Sequence, residues 1–114
     1  MSGGPLSITH LLDDPSGVGQ VRELLRDVID PELGVDIVSL GLVYGIEVHE
    51  RTVAVVATTT TPACPLADYI TAEIERVLLG SGAADRVEVE ITHAPPWTPE
   101  LMDDATKRAF GWGR

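Results

Sequence analysis

Residues 52–93 read TVAVVATTTTPACPLADYITAEIERVLLGSGAADRVEVEITH, and the periods inside this stretch decide the fold. Over Thr52–Thr60, Val53, Val55 and Ala57 share one face at the two-residue repeat of a strand. Leu66, Ile70, Ile74, Val77 and Leu78 then recur at helical spacing and make one apolar stripe. This helix is expected to start at Pro65 and to stop at GSGAAD, residues 80–85. Over Arg86–His93 the alternation returns, with Val87, Val89 and Ile91 on one side and Glu88, Glu90 and Thr92 on the other. A strand–helix–strand unit crosses over right-handed, which makes its two strands parallel.

Upstream, Leu42–His49 reads as another strand, with Tyr44, Ile46 and Val48 on one face. Glu50-Arg51 is a short link to Thr52, so the pair is expected to be an antiparallel hairpin. DPELGVDIVSLGLV, residues 30–43, reads as an ordered loop with a short extended piece near Ile37. Before it, Val18, Val21, Leu25 and Val28, joined by Leu24 and Ile29, predict a helix. Asp14-Pro15 gives its cap and first turn, and Pro31 ends it. Residues 1–13, His10 among them, read as a loose tail, and His49 as a turn residue.

Downstream, HAPPWTP, residues 93–99, is a rigid turn. Thr98-Pro99 again gives cap then proline, predicting a last helix to about Phe110 that buries Leu101 and Met102. The fold class is therefore α/β (α+β): a small mixed β-sheet with helices packed on it, in the order α-β-β-α-β-α. Residues 14–114 are expected to form a single domain, as 114 residues is an ordinary single-domain length.

Composition limits the function. With 44% hydrophobic residues the chain can build a core without metal or disulfide staples. No apolar run approaches the ~20 residues of a bilayer span. The start, MSGGPLSITH, lacks the basic-then-apolar order of a secretory signal. One cysteine allows no intrachain disulfide, so the chain is expected in the cytoplasm. Eighteen acids against eight bases give a formal charge of −10 and leave no basic stripe. That argues against nucleic acid and against an anionic membrane surface. The charge reads first as solubility, and second as a preference for partners with basic patches.

The lone cysteine, Cys64, lies between Pro62-Ala63 and Pro65, where a strand end meets a helix start. With Pro65 at the first helical position, Cys64 is the expected N-cap. A thiol there faces the positive end of the helix dipole, which favours the thiolate, the form that binds metal or attacks electrophiles. Free cysteine is commonly buried packing. Serine, threonine or aspartate caps better, however, so the position argues for a working thiol. His93, in phase with the strand before it, is a candidate base or second metal ligand. Asp30, Glu32 and Asp36 put three carboxylates in one loop. Taken alone they read as turn residues facing water. Trp97, stiffened by prolines, is either a pocket cover and partner contact or a packing lid. The Walker, CxxC, HExxH and GxSxG motifs are absent.

Three segments together resemble the metal–sulfur cluster assembly factor family, with its SufT-type and PaaD-type members. They are DPELGVDIVSLGLVYGIEV, TTTTPACPLADYI and APPWTPELM, in the family's order and within residues 21–111. The resemblance implies a cytoplasmic accessory protein, not an enzyme, that helps mature iron–sulfur clusters in client apoproteins alongside other assembly factors. It makes Cys64 the reactive or cluster-linked thiol. It raises Asp30, Glu32, Thr60 and Thr61 to candidate functional loops. An iron–sulfur cluster normally takes about four protein ligands, mostly thiolates. One cysteine per chain cannot supply them, whereas a homodimer brings two and a partner can bring the rest. The expected cofactor is therefore a labile iron–sulfur cluster or iron. The residues themselves leave two alternatives open: a thiol-dependent enzyme of peroxidase or hydrolase type, and a pure interaction adaptor.

Overall fold

Gly17, with φ 81°, turns the chain into the first helix, α1 (Val18–Leu24), which tightens into a 3-10 turn over Leu25–Asp27. The computed structural model describes residues 17–62 and 65–111 and the backbone of Cys64. The tail and the Asp14-Pro15 cap lie outside the described residues. The first helix ends well before Pro31, which corrects the expectation. Val28 is already extended, and Ile29–Asp30 form a short strand, β1. It pairs antiparallel with β2 (Val35–Asp36), Ile29 opposite Asp36 and Asp30 opposite Val35. The physical reason is Pro31, which excludes helical geometry from Asp30. The extended backbone then finds partners across the turn, as the Ile37 amide does on the Val28 carbonyl at 3.0 Å. The first part of the stretch read as an ordered loop is thus a tight hairpin, with its extended piece at Val35–Asp36 rather than at Ile37.

The main sheet has three strands in the order β3-β4-β5. Strands β3 (Val43–His49) and β4 (Thr52–Ala57) pair antiparallel, and β5 (Arg86–Ile91) lies parallel to β4, as expected. Val48, Ile46 and Val43 stand opposite Val53, Val55 and Ala57. A bulge between Val43 and Gly45 makes Tyr44 the extra residue, so Tyr44 does not continue the Ile46–Val48 face. Its hydroxyl donates to the Pro95 carbonyl at 3.0 Å. β4 stops at Ala57 rather than Thr60, because Thr58 donates its amide to Leu42 and the threonines then leave the ladder.

The connecting helix, α2 (Cys64–Gly80), begins at Cys64, so the cysteine is a helical residue and Pro65 takes the next position. Its apolar stripe packs on β5 and buries Leu66, Ile70, Ile74, Val77 and Leu78. Val21, Leu25, Val28, Ile37, Leu40 and Leu42 complete the core from the other side of the chain. No described helix is long and apolar enough to cross a membrane.

The expected last helix is two pieces, a 3-10 turn at Pro99–Leu101 and α3 (Asp104–Ala109). The break falls at Met102, whose backbone is extended and whose side chain is buried, while Leu101 stays 45% exposed. Asp103 restarts the helix by accepting from the Thr106 amide at 2.8 Å. The Thr106 hydroxyl and amide hold the Asp103 carboxyl below its ordinary value. Asp103→Ala is expected to cost about 0.5–2 kcal/mol, the range for losing an N-cap acceptor. Because the folded carboxyl is the stronger acid, the contribution is present at neutral pH and is lost as pH falls through the depressed value. Urea titrations of both proteins at neutral and acid pH check this.

Candidate functional site

Three segments far apart in sequence meet at the end of the sheet where β4 runs toward α2. The turn of the short hairpin brings Glu32 and Leu33. The loop after β4 brings Thr60 and Thr61. The C-terminal segment brings Trp97, Pro99 and Met102, and the end of α3 brings Phe110. Together they line a cavity of about 310 Å³.

Each wall is held by backbone chemistry. The turn Pro31–Gly34 closes with the Gly34 amide on the Asp30 carbonyl at 2.8 Å, and Gly34 takes φ 72°. The Asp30 carboxylate accepts from the Leu33 amide at 3.0 Å through Oδ2. The C-terminal wall is tied to the loop after β2: the Trp97 indole donates to the Leu40 carbonyl at 2.6 Å, and the Asp103 amide to the Ser39 carbonyl at 2.8 Å. Gly41, with φ 77°, makes this approach possible, since a Cβ there would stand 2.1 Å from the Leu101 carbonyl oxygen.

Under the cavity the polar groups are unusual. Asp30 is fully buried, and burial raises its pKa, helped by the charge of Glu32 and opposed by the amides of Leu33 and Glu32. Its Oδ1 has no partner among the described residues, nor do the buried hydroxyls of Thr58 and Thr60. Leaving such a group unpaired costs about 1–3 kcal/mol, so each of these atoms calls for a partner beyond the described residues. Thr59, also buried, bonds the Thr61 carbonyl and lies 2.9 Å from His93 Nε2.

The sequence candidates therefore divide. Glu32, Thr60, Thr61 and Trp97 share one cavity, and Asp30 lies against it through Leu33. β5 ends at Ile91, so His93 lies beyond it, where it meets the threonine loop through Thr59. Asp36 belongs elsewhere: it accepts from the Ser39 amide at 2.9 Å and faces Arg26 at 3.7 Å. Cys64 opens α2 three residues after Thr61, and its side chain lies outside the described residues. Among the described residues no three His, Cys, Asp or Glu side chains converge as a metal cage. Leu33, Pro99 and Phe110 were not singled out from sequence. A leucine between two turn residues, 39% exposed, was the available signal for the first.

Residues 19–91 match the model of the family described as iron-sulfur cluster assembly protein. The chain is 42% identical to the Fe-S protein maturation auxiliary factor YitW of Bacillus subtilis (strain 168), over 76% of this chain and 86% of that protein. It is 42% identical to the Fe-S protein maturation auxiliary factor SufT of Staphylococcus aureus (strain USA300), over 74% and 97%. The crystal structure of a domain of unknown function, DUF59, from Bacillus anthracis superposes with a TM-score of 0.76 at 38% identity, covering 82% of this chain and 90% of that one. The matched span of the family model ends at Ile91, before the C-terminal wall of the cavity begins at Trp97.

Proposed function

The chain belongs to the iron–sulfur cluster assembly protein family, and from that premise we propose that it is an accessory maturation factor that takes a labile iron–sulfur cluster or iron as cargo and passes it to client apoproteins. One observation carries the reading. The Asp30–Leu33 turn and the Thr60–Thr61 loop line one cavity, and that loop leads directly into α2, which Cys64 opens. A helix of 17 residues presents its unpaired amides and positive dipole end there, which favours a thiolate at Cys64.

The chain's own groups suit brief custody better than storage. One thiol per chain leaves a cluster of about four ligands incomplete. Two chains in a homodimer supply two thiols, and a client or assembly factor completes the set as the cluster leaves. Asp30 and the threonine hydroxyls give nearby oxygen and hydrogen-bonding groups. His93 meets the same loop through Thr59 and is the second candidate ligand for the cargo. In this reading residues 14–114 act as one domain in the cytoplasm, where thiols stay reduced, and the protein turns over no substrate.

Anaerobic reconstitution with iron and sulfide tests this, comparing wild type with Cys64→Ser. Wild type is expected to gain the visible charge-transfer absorption of a cluster on a dimer, and the variant to lose it. Equal colour in both proteins would remove Cys64 from the site. No colour in either would favour the adaptor alternative.

A further inference from the structure

The cavity at the loop that leads into α2 has a chemical pattern that selects an occupant. Its walls are mostly apolar, with Trp97, Met102 and Phe110 on one side and Leu33 on the other. Leu33 and Phe110 are 39% and 43% exposed at its mouth. The one charged group of the lining is Glu32, an exposed carboxylate, and no lysine or arginine lines the cavity. Among the described residues no cation pairs with Glu32; Arg26, Arg51 and Arg76 are engaged with Glu23, Asp36, Asp85 and Glu73. The Thr60 hydroxyl and Asp30 Oδ1, both sealed from solvent, have no partner among the described residues. The cavity of about 310 Å³ falls at the small end of ligand pockets, the size of one long side chain rather than a coenzyme.

An apolar trough with aromatic walls and a single unpaired carboxylate fits a cation on an apolar stem. We propose that this cavity receives one arginine side chain of a partner polypeptide, its methylenes along Met102 and Trp97 and its guanidinium at Glu32. Arginine suits it better than lysine. Its planar fork meets a carboxylate with two donors and stacks on aromatic faces, and it sheds water more readily than an ammonium. The net charge of −10 favours a basic partner segment in general. The proposal deepens the maturation reading by naming what a partner presents at that site, yet it rests on the cavity and not on the thiol. The wall formed by Trp97, Met102 and Phe110 lies beyond residues 19–91, the span that the family model matches.

Iron-free protein and short peptides test it without touching cluster chemistry. In a Trp112→Phe background Trp97 is the sole indole. Blocked heptapeptides with a central arginine, norleucine or glutamate are titrated at low salt, and the Trp97 indole N–H resonance is followed. The arginine peptide is expected to shift it saturably with a dissociation constant on the order of 1 mM or tighter. The norleucine peptide is expected to bind roughly tenfold more weakly and the glutamate peptide not at all, since each lacks the cation that answers Glu32. Glu32→Gln, in an exposed turn, is expected to remove the preference for arginine. Equal binding of the arginine and norleucine peptides, an unchanged preference in Glu32→Gln, or no shift with any peptide would overturn the proposal. None of these outcomes bears on whether Cys64 is needed for reconstitution.

Discussion

Gly41→Ala is expected to lower the melting temperature by ~10–30 °C and to release the C-terminal segment from the cavity. Two costs add. A non-glycine residue at φ 77° is strained by about 1–2 kcal/mol. The new Cβ would stand 2.1 Å from the Leu101 carbonyl oxygen, 2.7 Å from its carbonyl carbon and 2.9 Å from its Cβ. Two of these are backbone atoms, so no rotamer change relieves the clash and the segment itself must move. Overpacking of this kind costs about 1–3 kcal/mol. For a domain of roughly 100 residues each kcal/mol is worth about 4–8 °C. Gly34→Ala supplies the control. Its φ of 72° carries the same backbone strain, but nothing stands within 4 Å of the added Cβ. Thermal melts of both variants separate strain from collision, and the Trp97 indole N–H, bonded to the Leu40 carbonyl in the wild type, reports whether the wall has left. If Gly41→Ala melts no lower than Gly34→Ala, the close approach of the two segments is wrong.

That contact shows why the site was less legible than the fold. β4, α2 and β5 follow from periods of 2 and 3.6 carried over six or more residues, and their pairing follows from the handedness of the crossover. Strands of two residues such as β1 carry no period at all. Val28 and Ile29 kept helical phase in the sequence while the backbone was already extended, because Val28 is buried under either geometry. The last helix was misjudged because Thr98-Pro99 looks like a start. The true cap, Asp103, is recognised by its bond to Thr106, a signal weaker than a proline. For the site, each motif was readable alone. Their meeting was not, because Glu32, Thr60 and Trp97 are 28 to 65 residues apart and only tertiary contacts bring them to one cavity. Phe110 completes it from outside every quoted segment.

Asp30→Asn is expected to stabilise the protein at neutral pH while weakening its function, a combination that a merely structural carboxylate would not give. Asp30 is fully buried, and burial is the main cause of its raised pKa, with the charge of Glu32 adding to it. A carboxyl whose folded pKa lies above its unfolded value binds its proton more tightly when folded. Its stability contribution is therefore whole below the ordinary carboxylate range and is lost as pH rises through the raised value, so the ionised group burdens the fold at neutral pH. Asparagine removes that charge. It also keeps a carbonyl oxygen for the Leu33 amide, so the turn beneath Glu32 is preserved. The variant should melt higher than wild type at neutral pH, and the gain should shrink toward zero in acid, where both side chains are neutral. Cluster transfer to an apo form of an iron–sulfur enzyme should fall on the order of 10–100-fold, the usual cost of removing a supporting group beside a metal-handling site. Higher stability together with lost transfer would assign Asp30 to chemistry or recognition. A variant that is both less stable and fully active would reverse that conclusion and return Asp30 to the turn as a structural acid.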